Sequence, residues 1–315
     1  MTPVEIVGTP ARVARIVTGL YSFDHAFVGL AGKIGFPMSL IEVAGPTGCG
    51  KSTSVYSLCG LLSTLIAPLV DIPIDIALAD FEGYDPEFLV AVLEHAGFDG
   101  KIKAIQEDTD GKVLDELVAS IKGDFSLGIF DSVAAISPLS EIEGKIEEAN
   151  WGRRAILVNQ FCRKIIRIIR DDPLKAVFMI NHVHASMGGF GTVTPGGVSK
   201  NYLSAVIMRV KRKEEFDDQS YVIEGTVRKN RFGYRNRKFY LFVLAEKGIH
   251  LGLTAMYDCF LLGLAERGKT IKIGDEKFGY LKGLIDKAQA GENEIFEPFI
   301  KLLSDTNNKD IVPTS

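Results

Sequence analysis

Apolar runs of strand length alternate with segments of helical periodicity from about residue 18 to residue 250. Such alternation is typical of a parallel sheet whose crossover connections are helices. The clearest strand candidates are four short, mainly apolar runs: 40–44, 74–79, 127–130 and 176–180. The clearest helix candidate is 155–170, where apolar residues recur at the spacing of one helix face. The pattern predicts an α/β fold with a mostly parallel, twisted sheet flanked by helices.

The pattern of the second half is less regular and suggests domain boundaries. Three further strand candidates look more antiparallel: 205–210, 221–227 and 239–244. Residues 185–199 are rich in Gly, Ser and Thr, which predicts a mobile loop. We therefore predict four regions: a short N-terminal segment at 1–17, a core at 18–252, a small α+β C-terminal domain at 253–305 and a disordered polar tail at 306–315.

Composition narrows the class of protein. The chain has 315 residues, 46% of them hydrophobic, and a net charge of −4, so it is not a uniformly basic nucleic-acid coat. Its cysteines lack CxxC and metal-site spacing, and we expect them to be reduced thiols in a cytoplasmic protein: Cys49, Cys59, Cys162 and Cys259. The apolar run 55–70 is short for a membrane span, so we expect a buried helix and no membrane partner.

The most specific motif matches the phosphate-binding pattern GxxxxGK[ST] at every defined position. It is formed by Gly45, Pro46, Thr47, Gly48, Cys49, Gly50, Lys51 and Ser52. A strand candidate precedes it and a helix candidate follows from Thr53, which we include in the site. This context separates a nucleotide site from a Gly-rich turn. Loop N–H groups and the helix N-terminus then bind phosphates, with Lys51 on the β- and γ-phosphates and Ser52 on Mg²⁺.

Two acidic residues follow other strand candidates. Asp131 ends the run 127–130, at the sheet edge where Mg²⁺ ligands gather, and we expect it to hold the metal through water. Glu82 follows the run 74–79 and is the candidate for orienting an attacking water. An ordinary strand-terminal Asp and an exposed loop Glu are the alternatives, and spacing alone leaves the Glu82 assignment open.

With these motifs the chain resembles the RecA family of recombinases, with features of its phage UvsX-like branch, from about Thr18 to Leu303. Residues 18–24, TGLYSFD, are similar to the family's TGxxSxD motif. Residues 80–86, DFEGYDP, resemble the segment that carries the catalytic glutamate. Residues 131–136 with Pro138 resemble the magnesium-carboxylate strand, and 140–146, SEIEGKI, the first DNA loop.

The resemblance assigns further residues to the nucleotide. It makes Glu82 the catalytic glutamate and places Asp85 and Phe88 beside the adenine, although the family often has Tyr where this chain has Phe88. His182 stands where bacterial RecA proteins have a Gln that senses the γ-phosphate and where the UvsX-like branch has His. A polar residue capping the strand is the alternative for His182.

A dense basic run at 228–238 carries a second implied role. By itself such a run is usually solvated surface charge. Residues 229–231, KNR, resemble the family's Lys-x-Lys pair, which reaches the γ-phosphate of the neighbouring subunit. Lys229 and Arg231 would then act in trans, and ATP turnover would require assembly. The change from Lys to Arg at 231 keeps the charge but alters donor geometry.

The resemblance also predicts the surface that binds DNA. The first loop is 140–146, and the second spans 184–197, where glycines allow close approach and apolar side chains contact bases. Packing against a helix is an equal alternative for Trp151, the only tryptophan. The residues assigned to DNA are Trp151, Arg153, Arg154, His184, Met187, Phe190, Gly196 and Gly197.

The implied function is a DNA-dependent ATPase that uses ATP and Mg²⁺, forms helical filaments on single-stranded DNA and exchanges strands with homologous duplex DNA. A ring-forming helicase of the same fold and an accessory paralogue without strand exchange are the alternatives. The family's N-terminal docking helix has no counterpart in residues 1–17, although 4–7 could supply an intersubunit strand. Residues 23–26, FDHA, fit an FxxA docking pattern, but core packing is the preferred interpretation.

Overall fold

The computed structural model describes residues 13–137, 152–185 and 192–306. The helices in these ranges are α1 Tyr21–Ala26, α2 Lys51–Val70, α3 Pro86–His95, α4 Asp110–Lys122, α5 Arg153–Asp171, α6 Ser199–Leu203, α7 Leu251–Leu261, α8 Leu281–Ala290 and α9 Glu297–Asp305, with a 3₁₀ turn at Glu294–Phe296. The strands are β1 Arg15–Ile16, β2 Phe36–Pro37, β3 Leu40–Gly45, β4 Ile76–Asp80, β5 Ile102–Ile105, β6 Leu127–Asp131, β7 Ala176–His182, β8 His184–Ala185, β9 Thr192–Val193, β10 Val206–Glu215, β11 Tyr221–Asn230, β12 Arg237–Leu244, β13 Gly248–Ile249, β14 Glu266–Arg267, β15 Ile271–Ile273 and β16 Glu276–Gly279.

The central sheet is mixed but mostly parallel, as the alternating pattern predicted. Within the described ranges its strands lie in the order β13–β12–β11–β10–β3–β7–β6–β4–β5. The strands from β10 to β5 run parallel to one another, and β11, β12 and β13 add antiparallel pairs at the other edge. Every residue of β3 is buried, because strands flank it on both sides and helices cover both faces.

Two strands in the parallel part of the central sheet differ from the sequence prediction. The run at 205–210 was expected to be antiparallel, but β10 pairs in parallel with β3 and antiparallel only with β11. Strand β5, Ile102–Ile105, was missed altogether. It lies at the edge of the sheet and only Ile105 is buried, so it has no continuous apolar run.

Helix α2 follows the phosphate loop and packs into the core. It is the one helix in the described ranges that is long and apolar enough to cross a membrane, and 56% of its apolar window is buried. Leu58, Leu62 and Ile66 belong to the same buried cluster as Phe178 of β7. Burial against the sheet accounts for the apolar run at 55–70, as expected.

Helix α1 packs against the same buried cluster as α2. Phe23 and Ala26 are buried, and the Phe23 ring lies 5.3 Å from Phe36 and 5.0 Å from Phe239. The FxxA pattern is therefore core packing, as preferred. Residues 4–7, which were considered for an intersubunit strand, lie outside the described residues.

The C-terminal segment combines helices α7, α8 and α9 with the small antiparallel sheet β14–β15–β16. Its core is continuous with the antiparallel part of the main sheet, since Leu253 and Phe296 share a buried cluster with Val222 and Phe242. The expected α+β character is present. Helix α7 begins at Leu251 and so runs across the proposed boundary at 252/253. That boundary stays a prediction.

Candidate functional site

The phosphate loop leaves the buried strand β3 and enters α2 through two constrained glycines. A Cβ on Gly45 would lie 2.3 Å from the carbonyl oxygen of Val210. Gly50 has φ +87°, and a Cβ there would lie 2.4 Å from the Tyr221 hydroxyl. Contacts with neighbouring strands thus require glycine at both positions. Lys51 is only 6% exposed, and its Nζ donates to the carbonyl oxygen of Pro46 at 2.8 Å.

Asp131 lies at the carboxyl end of β6, behind the loop. Its Oδ2 accepts a hydrogen bond of 3.2 Å from the Tyr56 hydroxyl, whereas its Oδ1 is buried and has no partner among the described residues. Burial, with the charges of Glu82 and Asp80, raises the pKa of Asp131 to about 6, and the Ser52 and Tyr56 hydroxyls offset part of that rise. A buried carboxylate with an unused oxygen beside a hydroxyl fits Mg²⁺, which prefers oxygen ligands.

Glu82 lies just beyond β4 and meets two neighbouring strands. Its Oε1 accepts hydrogen bonds from the hydroxyl of Ser132 and from His182 Nε2, the latter at 3.0 Å. Burial alone would raise the pKa of Glu82, but these two hydrogen bonds and the charge of Lys51 hold it below its ordinary value. The side chain stays 41% exposed, so a carboxylate is presented to solvent at the sheet edge. This is the chemistry required of a group that orients water.

His182 connects Glu82 to the phosphate loop. While Nε2 contacts Glu82, Nδ1 lies 3.3 Å from the hydroxyl of Thr47. These contacts put His182 between the candidate catalytic carboxylate and a loop residue. A simple strand cap would need neither contact, and the role of His182 as a sensor of the γ-phosphate stays a prediction.

Asp85 and Phe88 occupy the start of α3. Asp85 is the N-cap of this helix, and its carboxylate accepts from the backbone N–H groups of Glu87 and Phe88 at 2.9 and 3.3 Å. The Phe88 ring is partly buried against the main core cluster. The structure therefore gives both residues local roles, and their contact with adenine stays a prediction.

Lys229 and Arg231 meet at the end of helix α6. Lys229 Nζ donates to the carbonyl oxygens of Asn201, Tyr202 and Ser204 at 2.7, 2.9 and 2.6 Å. Arg231 donates to the same carbonyl of Tyr202 at 2.7 Å. Burial and the neighbouring Arg231 lower the pKa of Lys229. Within one chain the pair thus satisfies helix C-terminal carbonyls, and its action in trans stays a prediction.

The residues predicted to bind DNA are only partly described. Arg153 and Arg154 begin α5, and His184 begins a short hairpin in which it pairs with Val193. Gly196 and Gly197 follow that hairpin in the left-handed region, with φ +90° and +78°. Trp151, Met187, Phe190 and the first-loop residues 140–146 lie outside the described residues.

Sequence reasoning missed two side chains of the site, one contact and one surface. Ser132 directly follows Asp131, and Tyr56 lies four residues after Ser52 on the same face of α2, so local spacing could have pointed to both. Thr47 was included only as a loop residue, without its contact to His182. Helix α5 also exposes Arg163 and Arg167 one turn apart, a signal that its amphipathic pattern already contained.

The fold and the phosphate loop define a P-loop nucleotide-binding protein with a mostly parallel sheet, a buried carboxylate at the end of β6 and a partly exposed glutamate just beyond β4. The sequence model of the RecA N-terminal domain matches residues 7–249, which is more than half of the chain. The chain belongs to the RecA family of recombinases. The family places it among ATP-binding and DNA-binding proteins of recombination and repair, as the resemblance implied.

Curated relatives agree with this assignment at low identity. Protein RecA of Lactobacillus acidophilus is 27% identical over 285 residues, covering 88% of this chain and 69% of that protein. Protein RecA of Staphylococcus aureus is 28% identical over 287 residues, covering 89% of this chain and 73% of that protein. Both relatives carry the name of the family that the sequence model identifies.

A solved structure supports the fold. The crystal structure of the RadB recombinase aligns with a TM-score of 0.51 at 22% sequence identity. The alignment covers 74% of this chain and 98% of that one. The shared architecture is therefore the RecA-like core.

Proposed function

We propose that this protein is a DNA-dependent ATPase that assembles on single-stranded DNA and exchanges strands with homologous duplex DNA. The observation that carries the proposal is the contact set of Glu82, whose Oε1 accepts from Ser132 and from His182. It joins a candidate catalytic carboxylate to a residue that also contacts the phosphate loop. We also propose a cytoplasmic location, which the four free and buried cysteines support.

The phosphate loop binds and neutralises the triphosphate. Lys51, now on the carbonyl of Pro46, exchanges that acceptor for phosphate oxygens. Ser52 and Asp131 would hold Mg²⁺, Asp131 through water, and the cation would offset the charge of the triphosphate when bound. The buried Oδ1 of Asp131, which has no partner in the described ranges, is free to accept a hydrogen bond from such a water.

Glu82 orients the water that attacks the γ-phosphate. Its lowered pKa keeps it ionised near neutral pH, so it accepts a hydrogen bond from water. Ser132 and His182 fix the carboxylate through Oε1, which leaves Oε2 for water. Catalysis of this type rests on position and electrostatics more than on covalent chemistry.

Lys229 and Arg231 complete the site of the neighbouring subunit. Lys229 borders a cleft of about 690 Å³ between α6 and the β10–β11 hairpin, and Arg231 donates to the carbonyl oxygen of Tyr202, another residue of its lining. Arg209 and Arg228 also line this cleft, and Arg209 Nη1 is buried without a partner in the described part of the chain. A cationic cleft with an unsatisfied guanidinium suits an anionic partner. Tyr202 beside it is 72% exposed, as expected of a surface that assembly covers.

Helix α5 and the β8–β9 hairpin form the proposed DNA face. Arg153, Arg163 and Arg167 are exposed on one face of α5 and form no ion pair within the described ranges. Arginines spaced along a helix neutralise successive phosphates without reading sequence. A recombinase needs this property, because it must accept any DNA sequence.

The test is exchange between a single-stranded oligonucleotide and a fluorescently labelled homologous duplex, with ATP and Mg²⁺. Lys51→Ala and a non-homologous duplex are the controls. Exchange that requires both homology and nucleotide supports the proposal. ATP turnover without exchange would instead identify a motor or an accessory paralogue, which imaging of rings and a directional unwinding assay would separate.

A further inference from the structure

A buried tyrosine lies directly behind the carboxylate proposed for the magnesium site. Tyr56 is 3% exposed, and its hydroxyl donates to Asp131 Oδ2 at 3.2 Å. Its ring belongs to the main buried cluster, together with Leu58 and Ile76. Burying a hydroxyl costs free energy that an apolar side chain at this position of α2 would avoid, so packing alone is a weak reason for a tyrosine here.

Helix geometry brings two hydroxyls to the same carboxylate. Ser52 and Tyr56 are four residues apart and therefore share one face of α2. Both hydroxyls hydrogen-bond the Asp131 carboxylate and stabilise its ionised form. Once Ser52 turns to the metal, as proposed above, Tyr56 remains the side-chain donor that fixes Asp131 within the described ranges.

The surroundings of Asp131 are strongly acidic. Asp80 pairs with Asp131 in the register of β4 and β6, and the charges of Asp80 and Glu82 act on both Asp131 and Tyr56. Asp131 is 4% exposed, so water screens this repulsion poorly. Its two oxygens also differ, because Oδ2 is held by Tyr56 whereas Oδ1 is buried without a partner in the described part of the chain.

We propose that Tyr56 is a positioning residue of the magnesium site, which holds Oδ2 of Asp131 so that Oδ1 accepts a hydrogen bond from a water of the bound metal. Tyr56 acts through Asp131 rather than on the nucleotide. Hydrogen-bond partners of this kind keep a metal-binding carboxylate in one orientation, and their loss lowers metal affinity by about 10- to 100-fold. The inference rests on the proposed function, because it takes Ser52 and Asp131 to hold Mg²⁺.

The test measures the affinity of the full chain for fluorescently labelled ATPγS without DNA, once in excess EDTA and once at saturating Mg²⁺. The ratio of the two affinities reports how strongly the protein favours the nucleotide with its metal. Tyr56→Phe removes the hydroxyl and keeps the buried ring, so it opens no large cavity. Tyr240→Phe is the matched control. Tyr240 is also a buried tyrosine whose hydroxyl hydrogen-bonds a carboxylate, that of Glu224, but four strands separate β12 from β6.

We expect Tyr56→Phe to lower this ratio about tenfold and to leave the affinity in EDTA unchanged, whereas Tyr240→Phe changes neither. Asp131→Asn should also lower the ratio, and adding Tyr56→Phe to it should have no further effect, because Tyr56 acts through Asp131. Three results would each overturn the proposal: an unchanged ratio in Tyr56→Phe, an equal loss of affinity with and without Mg²⁺, or an effect that adds to that of Asp131→Asn.

The same measurement separates this inference from the proposed function. If Mg²⁺ brings the wild type no gain in affinity, the magnesium site itself is refuted, and the role of Tyr56 with it. Absent strand exchange would count against the proposed function and not against this role, because the measurement uses neither DNA nor hydrolysis.

Discussion

Individual side chains at the sheet edge differ in burial and in the role that we propose for them in the candidate site. Lys51 and Asp131 are both buried. Asp131 Oδ1 has no partner in the described ranges, and Lys51 donates to a backbone carbonyl that we propose it exchanges for phosphate. Glu82 is different, because its partners Ser132 and His182 hold the carboxylate while part of it faces solvent. The residues proposed to bind nucleotide and metal are therefore buried, and the residue proposed to act on water is accessible.

Removing the phosphate-loop ammonium tests the nucleotide assignment. We expect Lys51→Ala to lower ATP turnover at least about tenfold, because no other group of the loop supplies a cation to the β- and γ-phosphates. Steady-state phosphate release checks this. Lys112→Ala is the control, since Lys112 is an exposed residue of α4 that pairs with Asp108. Near-normal turnover in Lys51→Ala would refute the site.

At the scale of elements, short helices link the site to other surfaces. Helix α3 begins a few residues after Glu82 and α6 lies against the cationic cleft, whereas α5 presents its arginines to solvent. Polar contacts at one end position α3 and α6, and an amphipathic face positions α5. Substitutions at these contacts separate structural from functional roles.

The cap of α3 distinguishes helix support from adenine binding. Asp85→Ala is expected to lower the free energy of unfolding by about 1 kcal/mol, because two backbone N–H groups lose their acceptor. Asp85→Asn keeps a capping oxygen and should restore most of that loss. Urea denaturation of both variants measures the effect. If Asp85→Asn folds normally yet loses nucleotide affinity, the carboxylate itself contacts the nucleotide.

Mixing two inactive variants tests the trans role of Lys229. We expect Lys229→Ala to bind nucleotide but to lose DNA-stimulated turnover. Mixed equally with Lys51→Ala, it should regain activity, since about a quarter of randomly formed interfaces combine an intact loop with an intact trans pair. Turnover as a function of mixing ratio is the measurement. Full stimulation in Lys229→Ala alone, or no recovery on mixing, would exclude action across the interface.

The exposed arginines of α5 predict how binding of single-stranded DNA depends on salt concentration. Arg163→Ala with Arg167→Ala should weaken single-stranded DNA binding for all sequences alike and reduce the slope of log K against log salt by about 0.7 per lost phosphate contact. Fluorescence anisotropy at several salt concentrations measures the slope. Lys301→Ala, on the exposed face of α9, should leave it unchanged. An unaltered slope in the double variant would remove α5 from the DNA face.

At the scale of the whole molecule, buried carboxylates join distant parts of the chain. Asp24 accepts from the backbone of Thr18 and Gly19 and so closes the segment that leads into α1. Asp258 of α7 accepts from the backbone N–H of Ser22 at 2.9 Å, which ties the C-terminal segment to α1. Its other oxygen is buried without a partner in the described part of the chain.

Asp258 should make stability depend on pH. Burial raises its pKa to about 7, above the value in the unfolded chain, so the folded state retains the proton between about pH 4 and 7. The contribution of the protonated Asp258 to the free energy of unfolding is therefore lost as pH rises through that window. We expect the stability advantage of Asp258→Asn over wild type to grow by on the order of 2 kcal/mol from pH 5 to pH 8. Urea denaturation across this range measures it.

The control for this pH dependence is Asp275→Asn, an exposed carboxylate between β15 and β16. The difference in free energy of unfolding between Asp275→Asn and wild type should not change with pH. A flat difference for Asp258→Asn as well would mean that this carboxyl titrates normally in the folded protein.

Sequence by itself determined the phosphate loop, the mostly parallel sheet and the position of Asp131. These features depend on neighbouring residues or on regular periods, such as a glycine-rich turn after a buried strand, and chain order preserves both. The same reasoning identified α5 and the buried character of α2. The sequence pattern did not predict edge strand β5, because a half-exposed strand has no continuous apolar run.

Only the tertiary structure decided which of these groups meet. Glu82 and His182 are a hundred residues apart in the chain, and they touch because β4, β6 and β7 lie side by side in a sheet order that spacing does not encode. The same holds for Lys200 with Glu42 and for Lys229 at the end of α6. The physical reason is that strand order and register arise from packing of the whole core, whereas a motif needs only its own backbone and its immediate neighbours.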